Sequence, residues 1–148
     1  MYQPFNLTGR TAIVTGGNGG IGLGMARALL ASGAAVSIWG SNPVKTKAAH
    51  EQLAAETGDP SRVHSQVCDV GDEAQVDAAF VQSVSALGGR VDACFANAGV
   101  SSKGTLLTDM SLAEFRRVQR VNVEGVFLTF RAAARHMAGR GQGGSLVA

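Results

Sequence analysis

Cysteine is scarce in this 148-residue chain. Cys68 and Cys94 are too few for a disulfide framework and lack the paired spacing of zinc ligands. His50, His64 and His136 are scattered, so no metal is expected. Aromatic residues make up only 5%, with one tyrosine and one tryptophan. Three prolines beside twenty glycines, with no Gly-X-Y period, exclude collagen and low-complexity sequence. Charge is sparse and nearly balanced: 13 basic and 11 acidic residues leave +2, a field too weak to argue for nucleic acid. No apolar run approaches the ~18 residues of a membrane span. The opening Met1-Tyr2-Gln3-Pro4 lacks a basic segment followed by an apolar one, so no secretory signal is expected there. These absences lead to the expectation of a cytoplasmic, reduced, metal-free protein with neither a nucleic-acid nor a membrane partner.

What is present is an ordinary globular balance, 45% hydrophobic and 16% charged, and a length suited to one domain over residues 1–148. Short β-like runs alternate with longer helical patterns. Strands are predicted over 10–15, 35–39, 62–67 and 91–95, with a fifth opening at Ser145. Between them, Ile21, Met25 and Leu29 mark one helical stripe ending before Gly33, a C-cap position. Asn42-Pro43 starts a helix running to about Thr57. Asp72 with Gln75 opens another, whose stripe is Val76, Phe80, Val84 and Leu87. Ser111 with Glu114 forms a further capping box, with Met110 and Phe115 at hydrophobic-staple positions. The helix they begin would run to about Ala138, long enough that a bend or adjustment is expected within it. Strand-helix alternation with apolar strands points to an α/β protein: a Rossmann-like, doubly wound parallel sheet, truncated after about five strands.

The most informative stretch is Thr15-Gly16-Gly17-Asn18-Gly19-Gly20-Ile21-Gly22, between the first strand and the first helix. Glycine serves three ends there: a sharp turn, approach of bare backbone to a pyrophosphate, and close helix–strand packing. The helix N-terminus offers free N–H groups and a positive dipole end. No Gly-Lys-Ser/Thr follows, so this is not a Walker loop. A tight turn without ligand is the alternative.

Thr15-Gly-x-x-x-Gly20-Ile21-Gly22 resembles the cofactor loop of the classical short-chain dehydrogenase/reductase family. Three further stretches match that family in order. Asp69-Val70 resembles its acidic adenine-side motif, Asn97-Ala98-Gly99 its Asn-Ala-Gly motif, and Asn122 in Val121-Asn122-Val123 its helix asparagine. The resemblance runs from Leu7 onward. It implies that Gly16, Asn18, Gly19, Gly20, Ile21, Gly22, Asp69, Val70, Asn97, Ala98 and Gly99 form the cofactor site, with Gly40 and Ser41 where the second strand ends. It implies that the Asp69 carboxylate accepts from the adenine amino group. It also implies that Asn97 stabilises the sheet, and that Asn122 joins a proton relay through its backbone in a kinked helix. Read without the family, Asp69 caps a turn and Asn122 is a satisfied buried amide. Arg116, Arg117 and Arg120 read as a solvated face, and Cys94 as a small buried hydrophobe.

The family's chemistry is hydride transfer between a nicotinamide and a carbonyl or alcohol, using a tyrosine and a lysine four residues later. Tyr2 is the sole tyrosine, the lysines are Lys45, Lys47 and Lys103, and no Tyr-x-x-x-Lys exists. Ser145 falls too early for the family's catalytic serine. The chain is therefore expected to be the N-terminal, cofactor-binding part of an NAD(P)-dependent oxidoreductase, inactive by itself; the alternative is a non-catalytic nucleotide-binding or regulatory module. Gly40 stands where an acid would select NAD. That leaves NADP or NAD open, with a lean to NADP. The partners expected are a small carbonyl or alcohol substrate and a second copy of the chain.

Overall fold

The computed structural model describes residues 5–102 and 104–148; Met1 to Pro4, including Tyr2, and Lys103 lie outside them. Five strands, β1 (Thr11–Thr15), β2 (Ala35–Gly40), β3 (Val63–Val67), β4 (Ala93–Ala96) and β5 (Ser145–Val147), form one sheet in the order β3-β2-β1-β4-β5. Every pairing is parallel. The helices are α1 (Gly20–Ala31), α2 (Pro43–Thr57), α3 (Glu73–Ala86), α4 (Leu112–Gln119) and α5 (Gly125–Arg140), with one π turn, Arg120–Glu124, joining the last two.

The sheet separates two apolar layers because successive strand residues point to opposite faces. Val14, Val36 and Ile38 join Ala26, Leu30, Ala49 and Leu53 beneath α1 and α2. Ile13, Trp39 and Cys94 join Val76, Phe80, Leu128 and Met137 beneath α3 and α5. The second layer holds one polar knot: the Trp39 indole N–H donates to Ser83 Oγ at 2.9 Å, and Ser37 and Ser83 share a hydrogen bond at 2.8 Å. All three are fully buried, so the knot satisfies groups that would be costly to leave unpaired. Two chain segments wind outward from β1 in opposite directions, one to β2 and β3 and the other to β4 and β5. That reversal opens a crevice at the C-terminal ends of β1 and β4.

Local chemistry sets most element ends. Asn42, Asp72 and Ser111 each accept from the backbone N–H three residues on, capping α2, α3 and α4. Helix α1 ends in a Schellman arrangement, with Gly33 N–H on the Leu30 carbonyl and Ala34 N–H on the Leu29 carbonyl. Strand β4 begins at Ala93 instead of the expected Val91. The backbone of Val91 is used elsewhere: its N–H donates to His136 Nε2 (3.2 Å) and its carbonyl accepts from Arg140 Nη1 (2.7 Å). The expected adjustment in the long helix is the π turn, in which the Gly125 N–H reaches back five residues to the Arg120 carbonyl.

At the N-terminal end of the sheet, Asp92 ties β4 to β1. Its carboxylate accepts from the Thr11 N–H (3.0 Å) and Arg90 Nε (2.8 Å), with Arg10 and Arg140 each 3.6 Å away. Burial pushes the Asp92 carboxyl up, but the Arg90 guanidinium, the Thr11 N–H and the Arg10 charge outweigh it and hold it at about 2. A carboxyl depressed in the folded state contributes stability above its unfolded pKa, and the contribution is lost as pH falls toward the folded value. The side chain is 15% exposed, and after screening by nearby solvent the shift corresponds to about 1 kcal/mol. Asp92→Asn is expected to lower urea-unfolding stability by about that amount at pH 7 and to flatten the stability loss between pH 4 and pH 2. An unchanged acid limb would contradict this role.

Candidate nucleotide cleft

The corner between β1 and α1 is shaped by contact. Gly16 has φ +65°, and a β-carbon on it would lie 2.9 Å from the Ala98 α-carbon. A β-carbon at Gly22 would lie 2.3 Å from the Gly16 carbonyl oxygen and 2.5 Å from Asn97 Nδ2. These glycines let α1 sit directly on the turn that launches it. Gly19 and Gly20 have nothing within 4 Å of such a carbon, so the outer side of the same turn is open. The N-cap of α1, Gly19, makes no side-chain hydrogen bond, and the first turn carries no acid; α5 shares this but continues directly from the π turn, whereas α1 starts from a loop. Its leading amides are left without the side-chain acceptors that cap α2, α3 and α4. Bare amides, an open approach and a positive dipole end are what a pyrophosphate requires, so the residues fit the dinucleotide that the fold implies.

The β4 side supports the corner. Asn97 Nδ2 donates to the Thr15 carbonyl (3.1 Å), and the Ala98 N–H donates to Thr15 Oγ1 (3.0 Å). Asn97 thus stitches the two strands at the crevice. Beyond them lies a cleft of about 330 Å³ lined by Gly16, Asn18, Gly40, Ser41, Asp69, Val70, Ala98 and Gly99, together with Cys68, Val100, Arg117, Arg120 and Val121. Eight residues anticipated from sequence therefore share one cavity. Gly22 and Asn97 stand behind it as supports. Gly19, Gly20 and Ile21 are not in its lining; they lie at the start of α1, where Ile21 is 75% exposed.

Three polar groups depart from their simplest reading. Asn122 is exposed on the π turn, not buried. Its side chain makes a paired bridge to one residue: Oδ1 accepts from the Val100 N–H (2.8 Å) and Nδ2 donates to the Val100 carbonyl (2.9 Å). Asp69 caps its turn, accepting the Gly71 N–H at 2.9 Å, yet it also lines the cleft and binds Arg120 Nη2 at 2.8 Å. Arg117 and Arg120, expected on a solvated face, line that cleft; Arg117 reaches Glu114 and the Ser101 carbonyl, each at 2.8 Å. The periodicity of one helix does not place these arginines in the cleft, because Arg117 reaches Ser101 and Arg120 reaches Asp69, both in other elements.

At the end of β2, a β-carbon on Gly40 would lie 2.1 Å from Asn18 Nδ2. That amide donates to Thr46 Oγ1 (3.1 Å), which in turn donates to the Gly40 carbonyl (3.2 Å). The Asn18 side chain thus covers the spot from which an acid would project. Cys68 lines the cleft, but its thiol is pushed up to about 12 by burial and by the neighbouring Asp69 and Asp72 charges. Cys94 is fully buried and pushed up to about 12 by burial. Neither is a nucleophile at neutral pH. Among the described residues no cluster of three or more His, Cys, Asp or Glu could hold a metal ion. Nor is any helix among them long and apolar enough to cross a membrane.

Sheet order, helix placement and the glycine corner define a Rossmann-like α/β protein. Residues 10–148 match the family described as short chain dehydrogenase. The chain is 37% identical over 142 residues to 2,5-dichloro-2,5-cyclohexadiene-1,4-diol dehydrogenase of Sphingobium indicum, covering 96% of this chain and 54% of that protein. It is 34% identical over 135 residues to 2-dehydro-3-deoxy-L-rhamnonate dehydrogenase (NAD(+)) of a Sphingomonas species, covering 91% and 51% respectively. A crystal structure of a short-chain type dehydrogenase/reductase from Mycobacterium marinum superposes with a TM-score of 0.88 at 35% identity, over 96% of this chain and 56% of that one. The chain belongs to the short-chain dehydrogenase/reductase family. It spans about half the length of the relatives it matches.

The packing separates two kinds of glycine. Gly22→Ala, driven into backbone, is expected to cost about 3 kcal/mol. Gly19→Ala, with φ 178° and open space, is expected to change stability by under ~1 kcal/mol. Chemical denaturation of both variants checks this, and equal losses would contradict the asymmetry.

Proposed function

We propose that the protein binds a nicotinamide dinucleotide in this cleft and serves hydride transfer between that cofactor and a small carbonyl or alcohol. The observation that carries the reading is the uncapped, acid-free start of α1 above the packed glycine corner. When bound, the nicotinamide supplies the hydride chemistry. The chain's own residues bind and orient. The leading amides of α1, at Gly19, Gly20, Ile21 and Gly22, take the pyrophosphate, and Gly16 with Ala98 and Gly99 permits close approach. Asp69 accepts from the adenine amino group, beside Val70. Gly40, Ser41 and Asn18 meet the ribose end, where no carboxylate repels a 2′-phosphate; this supports NADP, with NAD admitted. Asn122 belongs to the proton relay through its backbone, and its amide is already committed to Val100.

The sequence has no Tyr-x-x-x-Lys, so these 148 residues supply cofactor binding without the acid/base pair. That favours, for this stretch alone, a second reading as a non-catalytic nucleotide-binding module. A homo-oligomer is the expected assembly. Leu112, Phe115, Val123 and Phe127 are exposed along α4, the π turn and α5, an apolar surface suited to a second copy. Cytoplasmic placement and the absence of nucleic-acid and membrane partners complete the proposal.

Fluorescence titration of the chain with NADH and NADPH tests this reading. Saturable binding of both is expected, NADPH at least as tightly, with no oxidation of either across a carbonyl panel. Absence of binding would contradict the proposed site, and robust turnover the proposed division of labour.

A further inference from the structure

The π turn lies against both walls of the cleft. On one side Asn122 holds Val100 in the loop after β4. On the other, Arg120 lies over the turn after β3. A β-carbon on Gly71 would sit 2.7 Å from Arg120 Nη1, 2.9 Å from its Cζ and 3.0 Å from its Cγ, so the side chain is laid flat along that backbone. Its Nη2 donates to Asp69 Oδ2 at 2.8 Å. Gly125, just past the turn, permits the approach, since a β-carbon there would lie 2.7 Å from Val70 Cγ2.

Asp69 is held at several atoms. Its N–H donates to Gln75 Oε1 (3.0 Å), its Oδ1 accepts from the Gly71 N–H (2.9 Å), and its carbonyl accepts from the Asp72 N–H (3.0 Å). Of the roughly four lone-pair sites a carboxylate offers, Gly71 and Arg120 take two. The group remains 34% exposed and faces the cleft, with acceptor capacity to spare. The Gly71 N–H holds one oxygen and Arg120 the other, which restrains rotation about the bond to the carboxyl group. Arg120 also offsets the negative charge at a mouth that must admit phosphates.

We propose that Arg120 is a positioning residue: it fixes the Asp69 carboxylate so that its remaining lone pairs select a 6-amino purine over a 6-oxo purine. This rests on the assignment of Asp69 to the adenine end of the cleft. Arg120 does not touch the base; it acts through Asp69.

The test compares binding of NADH with that of reduced nicotinamide hypoxanthine dinucleotide, in which a carbonyl replaces the 6-amino group. Wild type is expected to favour NADH about ten-fold, the scale of one hydrogen bond to a charged group. Asp69→Ala should reduce the ratio to about one. Arg120→Met keeps the stem over Gly71 but removes the donors; it should lower the ratio to about two and add no further loss to Asp69→Ala. Arg120→Lys, which keeps the charge with a single reach to Oδ2, should recover part of the discrimination and serves if the methionine variant does not fold. A merely structural arginine would weaken both dinucleotides equally and leave their ratio at the wild-type value; that result overturns the role of Arg120 alone. No preference in the wild type would overturn the adenine-side reading of Asp69 and the proposal with it.

Discussion

There is no room for a β-carbon at residue 22. The first turn of α1 rests on the Gly16 carbonyl and the Asn97 amide at distances that only a residue without a β-carbon allows. This contact sets the height of α1 above the sheet and aims its N-terminus at the crevice between β1 and β4. The crevice itself comes from winding: the chain moves outward from β1 one way and then the other, leaving a gap that no crossover helix covers. Glycine packing and topology therefore meet at one point. The Asn97 bond to Thr15 ties the two strands together there.

A second constraint is carried by the π turn. A regular helix continuing from α4 would advance each later side chain by a different angle; the extra residue per turn reorients the side chains of α5. The result is a short stretch, Arg120–Glu124, from which neighbouring polar side chains reach two loops of separate origin. Sharp local departures from α geometry recur at functional positions because they place groups a uniform helix could not. Here the departure also lets Gly125 seat α5 against Val70, so the cleft and the core beneath α5 are shaped together.

The architecture is legible in the sequence where the controlling forces are local. The caps at Asn42, Asp72 and Ser111 act within three residues, and apolar periodicity marks the buried face of α3 through Val76 and Phe80. It does not mark that of α1: the expected stripe of Ile21, Met25 and Leu29 is displaced by one residue, so that Gly22, Ala26 and Leu30 are buried and Ile21 is exposed, because the close contact at Gly22 turns that face to the sheet. The need for an irregularity in the long helix can be inferred from its length, but not its π character. The first two residues of the expected fourth strand fall outside β4 because the Val91 backbone is claimed by His136 and Arg140, more than forty positions away. In the cleft, the glycines, Asp69, Val70, Ala98 and Gly99 can be gathered because motif order reflects strand order. Arg117 and Arg120 cannot, since Arg117 reaches the Ser101 carbonyl in the loop after β4 and Arg120 reaches Asp69 in the β3–α3 turn. The exposure of Asn122 and its bridge to Val100 are likewise hidden, because both depend on a loop whose path no periodicity describes. The side-chain cover of Gly40 by Asn18 is a tertiary contact of the same kind.

The central claim is that main-chain amides at the start of α1 grip paired phosphates. The most direct measurement is the response of backbone amide resonances of the 15N-labelled chain to added NADP. The account predicts that the largest changes fall on residues 19–22, with smaller ones at 16, 69 and 98–99. Saturating changes confined to other surfaces, with the amides of residues 19–22 unmoved, would contradict it.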